Sequence, residues 1–139
     1  MKRGVELEPK ARLEYEDLTD TEVIQVGLVE QGNGKVGCSP DGVLNDGLIE
    51  IKCPLPTTHI DYCTMPEGWT PPDYKAQFHA QMWVCEKPWV DFVSYCPEIK
   101  SSKYILIQRV YSDEEYISKI ESETKKFLKE LEELIEKMK

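Results

Sequence analysis

The apolar positions change period several times along the chain, and each change marks an element. Residues 3–18 are rich in helix formers (Glu6, Glu8, Ala11, Arg12, Leu13) and predict a helix whose start is blurred by Pro9. Val23 to Glu30 is β-branched and apolar and reads as a strand, followed by a turn at Gln31-Gly-Asn-Gly34. A short strand from Val36 runs into Ser39-Pro-Asp-Gly42. A second turn, Asn45-Asp-Gly47, precedes the alternating strand 48–53, which Pro54 ends. Residues 54–73 hold five of the nine prolines and read as a loop. Residues 74–86 predict a helix closed by Pro88, and 89–95 and 103–110 predict two strands. The clearest helix is 112–138, with Ser112 as its cap and Glu115 three residues on. Its apolar stripe is Ile117, Ile120, Phe127, Leu131, Leu134, Ile135 and Met138. Helix, three strands, helix, two strands, helix is the order of an α/β domain with a mixed central sheet flanked by helices.

Composition narrows the class. A chain of 139 residues, 40% hydrophobic, can bury one core without staples, so a single domain over 1–139 is expected. The chain has no apolar run long enough to span a membrane and no signal segment, which predicts a cytoplasmic protein, in the host cytoplasm if phage-encoded. Five cysteines without a CxxC pair argue against a disulfide framework, a zinc ribbon or an iron–sulfur cluster. The net charge of −9 counts against a nucleic-acid partner. It is concentrated at the two ends, however, and residues 31–111 are nearly balanced, which leaves room for a local basic groove.

The chemistry-bearing residues lie in that balanced middle. Alternation along a strand puts Glu50 and Lys52 on one face and Ile49, Ile51 and Cys53 on the other. The isoleucine side is buried by pattern, so the charged pair is expected to face a cleft or solvent. Asp41 lies nine residues before Glu50 with a turn between, and a hairpin of that length brings the two carboxylates together. Two carboxylates and an ammonium suit phosphodiester hydrolysis. Hard cations such as Mg²⁺ or Mn²⁺ bind carboxylate oxygen, with the Ile51 carbonyl as a further ligand, and a lysine can hold the attacking water. The same letters also describe a salt bridge beside a Pro-Asp-Gly turn, and that reading would make the chain a catalytically silent DNA-binding or assembly module. Tyr74, Gln77 and Gln81 share a helix face that suits polar contacts in a cleft, and Tyr74, Gln81, Ser39 and His59 are candidates for DNA contact. Trp69 is expected to hold the proline-rich loop down, and Trp83 and Trp89 to be core.

Cys38-Ser-Pro-Asp-Gly42 followed by Leu48-Ile-Glu-Ile-Lys-Cys-Pro54 closely resembles the core of the phage lambda exonuclease family, or YqaJ-like viral recombinases, within the PD-(D/E)xK nuclease superfamily. Arg3-Gly-Val-Glu-Leu-Glu-Pro-Lys-Ala-Arg12 resembles the family's N-terminal segment, with Glu8 at the position of a metal-site glutamate. Tyr74-Lys-Ala-Gln-Phe-His-Ala-Gln-Met-Trp83 resembles its glutamine-bearing helix, with Gln77 at the active-site position. The resemblance implies a restriction-endonuclease-like core and a two-metal DNA exonuclease acting on duplex ends, typically 5′ to 3′. On it Asp41 and Glu50 bind metal, Glu8 supports a second ion, Lys52 activates the water, and Gln77 orients the water or phosphate. It also implies a single-strand annealing recombinase as partner and a ring-shaped homo-trimer. Longer members carry tens of residues before the Arg-Gly segment, which puts direction and trimer formation in question. Endonucleolytic or flap cleavage by the same site is the nearest alternative, and a Cas4-like cluster-bearing nuclease a more distant one.

Overall fold

The computed structural model describes residues 2–31 and 34–139. Helix α1 (Lys2–Thr19) leads through an extended segment to a hairpin of β1 (Val29–Gln31) and β2 (Val36–Cys38). Then come β3 (Gly42–Val43), β4 (Leu48–Lys52), α2 (Pro56–Cys63), α3 (Lys75–Cys85), β5 (Trp89–Tyr95), β6 (Ile105–Tyr111) and α4 (Glu114–Lys137). The main sheet has the order β3-β4-β5-β6. β4 and β5 run parallel and the two outer pairs antiparallel, so the sheet is mixed, as the alternation of strands and helices predicts. A parallel pair cannot be joined by a hairpin, and α2 and α3 form the crossover between its strands.

Both faces of the sheet are covered. Ile49, Ile51, Trp89, Val93 and Tyr95 pack with Ala11 and Tyr15 of α1. Leu48, Val90 and Phe92 pack on the other side with Phe78 and Met82 of α3. β5 is buried at every position, which is why it lacks the polar alternation of a half-exposed strand. Asp91, buried in it, accepts from Tyr15 Oη at 2.5 Å and from Arg109 Nε at 2.8 Å, and so keeps its charge paired. The tight turn before β4 depends on Gly47, because a Cβ there would overlap the Trp89 indole.

Three local expectations change. Residues 54–73 are not all loop, since Pro56 opens α2 at the first helical positions, where its missing N–H has no helical partner to lose. Most of 23–30 is not a strand. Only Ile24 bridges Val43, and Ile24, Val26 and Leu28 stay exposed, because β-branched residues need a partner strand to realise their preference. The cap of α4 is Asp113, whose Oδ1 accepts from Tyr116 N at 3.2 Å, while Ser112 lies one residue outside. The centre of the turn expected at 31–34 lies outside the described residues. α4 has no buried residue, and Phe127, Leu134 and Met138 of its stripe are exposed.

Candidate functional site

The hairpin register assembles the site. Gly42 pairs with Ile49, so Asp41, one residue earlier, lies level with Glu50. Asp41 Oδ2 accepts the Ile51 backbone N–H at 2.7 Å, which ties the acidic turn to β4. Gly42 is required beside it, since a Cβ would overlap Val23. From α1, Arg12 donates to Glu8 Oε1 at 2.9 Å and to the Asp41 carbonyl at 3.3 Å. Glu8 is thereby drawn to the same place. From α3, Gln77 Nε2 and Gln81 Nε2 both donate to Glu50 Oε2, at 2.6 and 3.1 Å. Lys52 projects from the same strand face as Glu50, and its Nζ lies 4.7 Å from the centre of the Tyr74 ring.

Electrostatics at this place is unfavourable to bare carboxylates. Glu50 is only 3% exposed. Burial, and then the neighbouring Asp41, push its carboxyl up to about 8, against smaller opposing effects of Gln81 and Lys52. Glu8 is raised by the same two causes, with Arg12 in opposition. Asp41 therefore stands at the centre of three acidic groups in a partly dry site.

A divalent cation is the chemistry that would relieve such crowding. The described residues hold no set of three His, Cys, Asp or Glu side chains arranged to coordinate an ion by themselves. Mg²⁺ characteristically takes one or two protein carboxylates and fills its remaining positions with water and phosphate oxygen. The donors gathered here are oxygens, as a hard cation requires.

The sequence-predicted residues separate into two groups. Glu8, Asp41, Glu50, Lys52 and Gln77 come together, and Tyr74 joins them beneath Lys52. Ser39 is exposed two residues before Asp41. His59, expected as a DNA contact, is fully buried. Its ring nitrogens are occupied by Ser94 Oγ at 2.8 Å and the Lys103 carbonyl at 2.6 Å, so it holds α2 against the sheet instead. Gln81 is also corrected: it is 4% exposed and faces Glu50, out of reach of DNA. Glu50 itself faces the interior beneath α3 rather than solvent, because that helix covers the second face of the sheet. Trp69 packs on Tyr62 at 5.8 Å, as expected of a residue that holds its loop down. Arg12 went unsingled, although its position four residues after Glu8 is the helical spacing of an ion pair.

The model of the YqaJ-like viral recombinase domain family matches residues 1–88. The structure of an alkaline exonuclease, LHK-Exo, from Laribacter hongkongensis is similar with a TM-score of 0.89 and 40% identity, covering 99% of this chain and 71% of that one. The same enzyme in complex with dAMP gives 0.88 at 40% identity, with the same 99% and 71% coverage. A phage-related exonuclease from Haemophilus somnus 129PT shares the fold at a TM-score of 0.74 and 16% identity, over 99% of this chain and 73% of that one. No curated protein sequence matches.

Proposed function

Since the chain belongs to the YqaJ-like viral recombinase domain family, we propose that it is a metal-dependent nuclease that hydrolyses phosphodiester bonds of DNA. The observation that carries the proposal is the convergence of Glu8, Asp41 and Glu50 from three different elements, with Lys52 on the same strand face. A salt bridge beside a turn would need neither Glu8 nor the two glutamines. Burial beside Asp41 favours the protonated form of Glu50, and a bound cation would favour the ionised one.

Asp41, Glu50 and the Ile51 carbonyl would hold the first Mg²⁺ or Mn²⁺ ion, and Glu8 would support a second. When bound, such ions neutralise phosphate charge and make a nearby water more acidic. Lys52, steadied over the Tyr74 ring, holds the attacking water and stabilises negative charge that develops on the phosphate. Gln77 is exposed at the edge of the site and donates from its amide, so it can exchange Glu50 for the water or a phosphate oxygen. Ser39, exposed before Asp41, is placed to meet the DNA backbone.

The reading extends to exonucleolytic digestion of linear duplex ends, 5′ to 3′, in phage-type recombination. Its further parts, an annealing recombinase partner and a homo-trimer, rest on the family alone. The decisive assay offers 5′-labelled linear duplex and covalently closed circles to the protein with Mg²⁺. Digestion of the linear form alone, abolished by EDTA and by Lys52→Ala, is expected. Cleavage of closed circles would instead establish an endonuclease, and full activity of Lys52→Ala would refute the mechanism.

A further inference from the structure

The two glutamines that meet Glu50 are chemically identical and structurally opposite. Gln77 is exposed, whereas Gln81, one helical turn on, is 4% exposed and flanked in α3 by the buried Phe78 and Met82. Among the described residues, Gln81 uses only half of its amide. Its Nε2 donates to Glu50 Oε2 at 3.1 Å, while its Oε1 is buried with no protein partner. A buried acceptor without a partner is costly, and an apolar side chain of similar size would avoid that cost. The hydrogen bond that sets Gln81 apart from a leucine is the one to Glu50.

We propose that Gln81 is a positioning residue that sets the orientation of the Glu50 carboxylate for metal binding, while Gln77 is the mobile member of the pair. The assignment rests on the proposed metal site and adds a division of labour to it. Both amides share Oε2, so Oε1 of Glu50 receives neither and is the oxygen left available to a cation. The backbone beneath Gln81 is immobilised by core packing, so its amide stays in place when Gln77 turns to substrate. Outer partners of this kind orient a ligand, and their removal typically weakens metal binding about 10- to 100-fold.

The test measures Mn²⁺ binding to the full chain by calorimetry and by the electron paramagnetic resonance of free Mn²⁺, with thermal melts in EDTA alongside. Gln81→Leu is expected to weaken Mn²⁺ about 10-fold or more with a metal-free melting temperature no lower than the parent's. Gln81→Met, which fills the same space with a more flexible chain, should behave alike. Unchanged affinity in Gln81→Leu overturns the assignment while leaving the metal site standing. A loss of affinity that is matched by lowered metal-free melting in both Gln81 variants overturns it too, since that marks a merely structural residue. A parent chain that binds no Mn²⁺ refutes the proposed metal site and this assignment with it.

Discussion

Asp41 accepts the backbone N–H of Ile51 at 2.7 Å, so one carboxylate oxygen is anchored to the very strand that carries Glu50 and Lys52. The contact crosses the β3–β4 edge, where the register already sets Asp41 level with Glu50. It makes the acid part of the sheet geometry rather than a loop side chain free to wander. The position of the proposed cation site is therefore inherited from main-chain pairing, and four expectations follow from that and from the surrounding core.

Removing the charge of Asp41 should abolish metal binding, whereas removing Lys52 should not. Asp41→Asn is expected to show no Mn²⁺ heat by calorimetry and no nuclease activity. Lys52→Ala should bind Mn²⁺ like the parent and lose activity by about 100-fold or more, the scale of a lost charge-stabilising or proton-handling group. Equal Mn²⁺ binding by parent and Asp41→Asn would place the site elsewhere.

Metal-free stability should fall as pH rises across the neutral range. Burial and Asp41 raise the Glu50 carboxyl from its ordinary 4.5 to about 8. The folded chain thus holds a proton that the unfolded chain has already released. A raised folded pKa gives a contribution that is full below the unfolded value and is lost as pH climbs through the folded one. Denaturation midpoints in EDTA are expected to decline between about pH 5 and pH 8, and saturating Mg²⁺ should flatten the slope by favouring the ionised form. A slope that Mg²⁺ leaves untouched would argue against an ion beside Glu50.

Gly42→Ala should destabilise the fold by about 1–3 kcal/mol, the usual range for overpacking. The added methyl overlaps Val23 and crowds Ile49, both core side chains with nowhere to retreat. Because Gly42 adjoins Asp41, the same variant should also lower nuclease activity. Chemical denaturation measures the first effect, and a change under 0.5 kcal/mol, within the ordinary range for a surface site, would contradict it.

Asp91→Ala should cost about 1–3 kcal/mol, because it strands the buried Tyr15 hydroxyl, while the half-exposed Arg109 guanidinium regains solvent. Its strand lies beside β4, yet its side chain is on the α1 face and outside the site. Loss of melting temperature with retained Mn²⁺ affinity in the folded fraction is the expected pattern.

Much of this was legible in the sequence, and the limits have a physical cause. Alternation on 48–53 and the turn residues around it specify a hairpin strand, and the ordered motifs place Glu8, Asp41, Glu50, Lys52 and Gln77 in one site. Those are local signals, written in period and spacing. Whether a polar side chain ends in solvent or in the core depends on what another segment lays over it. That is why His59 and Gln81 looked like surface contacts until α2 and α3 packed on the sheet, and why 23–28, despite its β-branched residues, pairs only through the bridge of Ile24 to Val43. The sequence determined the chemical groups and their strand register. Tertiary packing decided burial, and with it which glutamine is held and which is free to move.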